Sequence, residues 1–351
     1  MSNPIVTINL VVLNGEKYIR HCLDSILTQT YPHELIELNI LDNGSTDKTK
    51  EIIRDLEFRV SDLGFAKFNL IESKLNLGMW LGQEKLLKHS SGKYIVVLAV
   101  DVILDENFLN NAVQTMKKDD KIGALQPKIY RFDASKDIKS SKFQVPSSKV
   151  FDTCGFQIFK SRRVVNIGHG EIDHGQFNEY KEVFGVEGAA PIFRTEAFKS
   201  LKISDEIVDH DYFWYGDDLD IAWRMRVFGW KQLFAPDVIA WHDRQTTKNL
   251  RKTFGDFLKI RKQLSLQKRR LEWRNIRFTI IKNDYTINLL KDLPFILKRE
   301  IMMFGYLIIF EPKVFGEVPT FLKLLPKMLR KRKQVMRRRI TSPEEMKKWF
   351  I

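Results

Sequence analysis

The sequence predicts an α/β fold: a mostly parallel, doubly wound central sheet with flanking helices, followed by a basic, amphipathic helical extension. Three observations carry that prediction. Short, nearly continuous apolar runs alternate with segments whose apolar residues recur at helical spacing, the order that builds a parallel sheet with crossover helices. Turn-rich loops follow the apolar runs, and ligands of such sheets bind at the strands' carboxyl ends. After about Arg244 the composition shifts to Lys and Arg with scattered apolar residues, which divides the 351 residues into a unit at 1–245 and an extension at 246–351.

The bulk numbers set limits. A hydrophobic content of 44% is ample for a packed core. Two cysteines, Cys22 and Cys154, give neither a disulfide framework nor a metal cluster and suit a reducing, cytoplasmic compartment. Residues 1–13 lack a basic leader and a small-residue cleavage site, so they read as a buried strand and not as a signal peptide. No apolar run reaches the roughly 18 to 20 residues that span a bilayer; the longest late one, 301–310, is bounded by Glu300 and Glu311. The net charge of +14 implies an anionic partner. No nucleic-acid-binding module is visible, which leaves phosphate-bearing substrates and acidic lipid.

In chain order, residues 5–13 form a first central strand, ended by Asn14 and Gly15, and a helix covers 16–28. A second strand, 37–41, runs into Asp42, Asn43, Gly44, Ser45, Thr46 and Asp47, a turn-rich loop before a helix at 48–56. Asp42 is placed there to hydrogen-bond a base or ribose; the alternative is an Asx turn, a task Ser45 or Asp47 could take instead. A third strand at 68–72 leads to Asn76, Leu77 and Gly78 and a helix through Leu87. A fourth at 94–100 ends at Asp101, an acid costly to bury without a partner such as a divalent cation or a backbone amide. Residues 134–149 read as a mobile polar surface loop, 151–165 as short strands, and 168–176, with His169 and His174, as a substrate-lining loop whose spacing fits no zinc pattern. Small residues Gly188, Ala189 and Ala190 before a strand ending at Arg194 allow close approach of a ligand. Strand pieces at 232–234 and 238–242 flank Pro236; the second ends at His242, which gains interest only beside Asp101.

Between these lies the stretch Tyr212, Phe213, Trp214, Tyr215, Gly216, Asp217, Asp218. It opens a helix on which Leu219, Trp223 and Val227 recur every four residues as an apolar face, and Asp220 can pair with Arg224. Of the two adjacent acids, one reads as a cap and one as a working base. In the extension, apolar Leu250, Phe254, Phe257, Leu258 and Leu264, and later Leu324, Leu325, Met328 and Val335, sit among Lys and Arg. That is the pattern of amphipathic helices on an anionic membrane surface, the alternative being helices packed on the first unit with a solvated basic face.

The order of these pieces resembles the family 2 glycosyltransferases of the GT-A (Rossmann-like) fold, especially their rhamnosyltransferase-like branch, over most of residues 5–245. The resemblance rests on residues 11–19, the Asp42–Asp47 loop, Asn76 to Gly78, Leu98 to Asp101, Gly188 to Arg194, Tyr215 to Arg224, and Trp241 with His242. It implies Asp218, with Asp217, in the catalytic role and Asp42, Asn14, Asn76 and Asp101 on the nucleotide. It also implies Gly188, Ala189, Trp214 and Gly216 around the sugars, and Asp101 with His242 on Mg²⁺ or Mn²⁺. The implied reaction is inverting transfer from a nucleotide-diphospho-sugar, dTDP- or UDP-linked, to a glycan or lipid-linked acceptor in cell-wall or surface-polysaccharide assembly. It would take place at the inner face of the cell membrane. Two departures stand out: Ala99 replaces the acid or Asn usual two residues before Asp101, and Asp217-Asp218 replaces the usual Glu-Asp pair. The alternative on the same fold is a catalytically impaired sugar-nucleotide or glycan-binding protein, with a nucleotidyltransferase as the lesser rival.

Overall fold

The computed structural model describes residues 4–137, 144–244 and 254–351. The expected strands open the chain: β1 (Val6–Val12), β2 (Ile36–Asp42), β3 (Lys67–Glu72) and β4 (Tyr94–Ala99). β1 and β2 are buried along their whole length; β1 is mostly apolar, and the polar Glu37 and Asn39 of β2 are bonded by Thr7 at 2.6 Å and to Asn9 at 3.0 Å. β1 pairs in parallel with β2 and β4, and β2 with β3, with helices Ile19–Leu27, Thr49–Asp62 and Met79–Leu87 as crossovers.

The second half adds β5 (Val102–Leu104), β6 (Ile122–Arg131), β7 (Phe151–Thr153), β8 (Phe156–Ile158), β9 (Val164–Asn166), β10 (Lys181–Glu182), β11 (Ile192–Arg194) and β12 (Lys231–His242). Among the described residues the sheet runs β10-β12-β6-β11-β4-β1-β2-β3, with β5 on β12 and β7 on β6. β6 and β12 pair in parallel, and β11 lies antiparallel between β4 and β6. The α/β class with a helical extension therefore holds.

Several details differ from the sequence reading. β5, the helix Phe108–Lys117 and β6 were not anticipated. β6 contains Pro127, which argues against a central strand; it is accommodated because it faces Ala235, where the β12 register shifts. The two pieces around Pro236 are one twelve-residue strand, β12, which absorbs the proline at that shift. The polar stretch after Phe132 begins with one helical turn, Ala134–Asp137, and residues 138–143 of the expected surface loop lie outside the described residues.

The helix Asp217–Val227 also differs from its pattern. An apolar stripe at four-residue spacing predicts one buried face; instead ten of its eleven residues are buried. The extension supplies the second cover. Its helix Leu266–Asn283 lays Asn283 Nδ2 on Asp220 Oδ1 at 2.7 Å and Lys282 Nζ on the same oxygen at 2.9 Å, while Arg224 holds Asp220 Oδ2 at 2.8 Å. Tyr212 and Thr279 share a hydrogen bond of 2.9 Å, and Phe278 stacks on Phe321 of the helix Val318–Arg337. Phe350 packs its ring 5.9 Å from that of Trp223.

Glu206, Asp209 and Asp211 bring their carboxylates together, but lysines of the extension fill the space between them. Lys331 Nζ lies 2.6, 2.8 and 3.3 Å from the three, and Lys282 Nζ lies 2.5 Å from Asp209. This is a buried ion-pair knot joining the extension to the first unit. Because Asp209 and Lys331 are both buried, Lys331→Met leaves a carboxylate short of a partner. The variant should lose about 3–5 kcal/mol in urea unfolding. A loss within about 0.5 kcal/mol, the size of an ordinary surface substitution, would show the knot does not hold the extension.

Candidate active site

A cleft of about 390 Å³ opens at the carboxyl end of β4, between the Asp217–Val227 helix, the end of β12 and the extension's Leu266–Asn283 helix. It gathers eight of the residues singled out in the sequence: Asp101, Gly188, Ala189, Trp214, Gly216, Asp217, Asp218 and His242. Ala99 lines it too.

His242 does lie beside Asp101, with its Nε2 3.5 Å from Asp101 Oδ2. Its Nδ1 donates to Asp152 Oδ2 at 2.9 Å. Burial alone would lower the imidazole pKa; the Asp101 and Asp152 carboxylates outweigh it and raise it to about 10. Asp152 in turn accepts two hydrogen bonds from Arg244, at 2.7 and 2.9 Å, and Arg244 reaches Glu187 Oε1 at 2.8 Å. Glu187 Oε2 accepts from the Ala189 N–H at 3.0 Å. Burial disfavours the Asp152 carboxylate, yet Arg244 and His242 hold it well below the usual carboxylate range.

Asp101 and His242 fit a divalent cation on loss of the imidazolium's Nε2 proton, which a bound cation would displace. Asp101 offers a carboxylate at the cleft, and Asp152 fixes the ring of His242 so that Nε2 faces Asp101, the outer-shell support that metal-bound histidines commonly have. Ala99 contributes no ligand atom in its side chain.

On the opposite wall, the aromatic stretch makes a strained turn. Phe213 and Tyr215 have φ of 64° and 77°, and Gly216 has φ of 89°. Asn275 of the extension holds this turn by donating from Nδ2 to the carbonyls of Tyr212, Trp214 and Tyr215 at 3.2, 3.0 and 2.8 Å. Lys268, one helical stretch earlier, is buried with its Nζ 5.2 and 4.8 Å from the Trp214 and Tyr215 ring centres.

The turn places Asp218 in the cleft, its Oδ1 accepting from the Leu219 N–H at 2.8 Å. Burial, and then the neighbouring Glu187 carboxylate, raise its pKa to about 6. Gly188 packs closely beside it: a Cβ there would come 3.2 Å from the Trp80 ring and 3.5 Å from the Asp218 Cβ. The expectation that one of the paired acids caps the helix is not met. Gly216 takes the N-cap position with no side-chain cap bond. Asp217 is buried with Oδ2 unpartnered, and burial followed by repulsion from Asp218 raises its pKa well above normal, favouring the neutral acid.

Three expected nucleotide contacts lie in a separate loop cluster, outside the cleft lining. Asp42 accepts from the Ser45 N–H at 3.2 Å and pairs with Lys50 at 3.4 Å, while the Asx turn at the start of the next helix is made by Asp47, which accepts from the Thr49 N–H at 3.0 Å. Asn14 accepts from the Thr46 N–H at 2.8 Å, and Asn76 from the Gly78 N–H at 2.8 Å and from Asn43 at 3.1 Å. The 168–176 loop does not line the cleft. His169 bonds the Asp152 carbonyl through Nδ1, and Asp173 bonds Lys128 and Tyr130. Arg224 is structural, as its spacing from Asp220 implied, and also donates to the Leu201 and Ile207 carbonyls at 2.7 Å each. Arg194 and Arg226 likewise bind backbone carbonyls.

Asp152, Glu187, Arg244, Lys268 and Asn275 were not identified from sequence. Glu187 directly precedes the small-residue run and Arg244 follows His242 by two, so proximity to recognised motifs was a usable signal. Asp152 is a single acid in a three-residue strand, and Lys268 is one of many cations in the extension.

The sequence profile of Glycosyl transferase family 2 matches residues 7–201, more than half of the chain. Over 113 residues the chain is 27% identical to a dolichyl N-acetyl-α-D-glucosaminyl phosphate 3-β-D-2,3-diacetamido-2,3-dideoxy-β-D-glucuronosyltransferase of Methanococcus voltae, covering 32% of this chain and 34% of that protein. It is 22% identical over 234 residues to a poly-β-1,6-N-acetyl-D-glucosamine synthase of Staphylococcus epidermidis, covering 66% of this chain and 48% of that one. The matched stretch is about a third of the length of the Methanococcus relative and about half that of the Staphylococcus one. Among solved structures, the mannosyltransferase PcManGT from Pyrobaculum calidifontis, in complex with GDP-Man and Mn²⁺, aligns at TM-score 0.53 and 17% identity over 93% of this chain and 76% of that one. TarS 1–349 of S. aureus, in complex with UDP, aligns at TM-score 0.51 and 14% identity over 98% and 83%. At these identities the structural likeness shows the fold, and the GT-A class implied by the motif order holds. The profile match, which covers Asp101 and Gly188, shows the relationship itself: the chain belongs to glycosyl transferase family 2.

Proposed function

We propose that the protein is an inverting glycosyltransferase that moves a sugar from a nucleotide-diphospho-sugar to an acceptor hydroxyl, with Asp218 as general base. The observation that carries this reading is the pairing, in one cleft, of a carboxylate whose pKa is raised to about 6 and an Asp101–His242 donor set on the facing wall. A base of that strength is ionised at neutral pH and still strong enough to take a proton in the transition state. Asp218 would accept the acceptor's hydroxyl proton as its oxygen attacks the anomeric carbon from the face opposite the nucleotide, which inverts the configuration. A Mg²⁺ or Mn²⁺ held by Asp101 and His242 would supply Lewis-acid neutralisation of the departing diphosphate. Trp214 and Gly216 would shape the acceptor side, and Gly188 and Ala189 the sugar's approach.

The relatives' names point to glycans, a poly-β-1,6-N-acetyl-D-glucosamine in one case and a dolichyl N-acetyl-α-D-glucosaminyl phosphate that is glycosylated in another. We take a glycan or lipid-linked glycan as the acceptor class here. The motif order of the rhamnosyltransferase-like branch makes dTDP- and UDP-sugars, rhamnose among them, the donors to test first. The Asp42, Asn14 and Asn76 cluster would act on the nucleotide by fixing its loop.

Asp218→Asn should lower kcat/KM by about 10²–10⁴-fold, the usual worth of a general base, with melting temperature unchanged. A folded variant with near-normal turnover would remove the central role. Because the base must be ionised, kcat/KM of the wild type should rise with pH through about 6 and level off above it. Below that value it should fall about tenfold per pH unit. A flat profile from pH 5 to 8 would contradict the assignment.

A further inference from the structure

The helix Leu293–Phe310 gathers nine exposed large apolar residues on one element. Of its eighteen residues only Leu307 is buried. Ile301, Met302, Phe304 and Ile309 are 69%, 66%, 57% and 70% exposed, and Leu290 just before it is 60% exposed. Soluble monomers rarely leave so continuous an apolar surface uncovered. The acids of this region are paired with arginines: Glu300 is bonded by Arg277 and Arg299, and Glu311 by Arg261 at 2.9 Å through each of two nitrogens. The exposed charges along the helix and at its two ends are Lys291, Lys298 and Lys313, all cations.

We propose that this helix docks on an anionic bilayer, lying in the headgroup boundary with its apolar side in the acyl chains. The chemistry matches the requirement for such helices, apolar burial reinforced by attraction of cations to anionic lipid. The helix lies on the membrane and does not cross it. Lys298, Arg299 and Glu300 interrupt it, and no helix among the described residues is long and apolar enough to span. A second copy of the chain is a poorer occupant, because a shared apolar face would bring the same three lysines toward one another.

The docking helix is tied to the cleft. Ile276 lines the cleft, and the next residue, Arg277, bonds Glu300 on the docking helix. A bilayer bound there would therefore sit against the element that forms the cleft's wall, where a lipid-borne acceptor is delivered. This last consequence rests on the transferase reading; the docking itself does not.

The test is flotation of the full chain with phosphatidylcholine vesicles and with vesicles also containing phosphatidylglycerol. The wild type should float with the anionic vesicles and weakly with the neutral ones. Ile301→Glu with Ile309→Glu, both at exposed positions, should lower the bound fraction at least about tenfold without changing the melting temperature. Lys298→Gln should weaken only the anionic preference. Absence of wild-type flotation, or unchanged flotation of the double variant, would overturn the proposal. So would a concentration-dependent dimer, seen by sedimentation, that the double variant breaks. Equal binding to both vesicles would overturn its electrostatic half. Nucleotide binding, measured on the same double variant by thermal shift, should be unaltered. Flotation without any nucleotide-induced shift would leave the docking standing while removing the transferase reading.

Discussion

His242, held between Asp101 and Asp152, begins a line of alternating charges that runs through Arg244 to Glu187 and ends one residue from Gly188. Each member is compensated by its neighbours, which is the condition under which charges are tolerated away from water. Removing one leaves another buried and unpaired. The line also fixes geometry: it joins the end of β12 to β7 and to the small-residue loop before β11. It thereby sets the Asp101 wall at a constant relation to the loop that touches Asp218. The Glu187 carboxylate at its far end is a cause, second to burial, of the raised Asp218 pKa. One set of ion pairs therefore supports both the candidate metal ligands and the candidate base.

The opposite wall depends on the extension. Two non-glycine residues in the left-handed region, Phe213 and Tyr215, are unfavourable by themselves and persist where surrounding contacts over-determine them. Asn275 provides those contacts with three carbonyl hydrogen bonds, and Lys268 braces the two rings. The boundary drawn near residue 245 marks a change in composition, but the cleft is built from both sides of it. The extension divides its labour among helices: Leu266–Asn283 finishes the cleft, Val318–Arg337 supplies Lys331 to the ion-pair knot, and Leu293–Phe310 carries the exposed apolar face.

The parallel half of the sheet was legible because strands buried on both faces read as apolar runs, as β1 and β4 largely do; β2 instead buries Glu37, Asn39 and Asp42. β6 was hidden by Pro127, which only the opposing register shift in β12 makes tolerable. Asp101, Asp218 and His242 could be picked out because each follows or opens a recognisable element. Their juxtaposition could not: Asp101 meets His242 through an antiparallel pairing of β5 with the end of β12, which sets Val102 opposite His242 across about 140 residues of chain. Asp152 and Asn275 stayed invisible for a related reason: a single polar residue in a short strand or a helix shows its partners only after folding. In the extension, basic residues suggested a membrane surface by charge, yet Lys282 and Lys331 are consumed in internal ion pairs. The exposed apolar face lies on a helix in the more apolar stretch 273–312 of that extension, whose 301–310 run is too short to span.

The most direct measurement is a thermal-shift titration of UDP, dTDP and GDP, each with and without Mn²⁺, on the wild type and on Asp101→Asn. Stabilisation at about a hundredfold excess over Kd amounts to about 2.7 kcal/mol, well within reach of the method. The account predicts that one nucleotide raises the melting temperature, that Mn²⁺ deepens the shift, and that Asp101→Asn abolishes the deepening. A shift indifferent to Mn²⁺ would contradict the Asp101–His242 assignment, and no shift with any nucleotide would contradict the proposed donor.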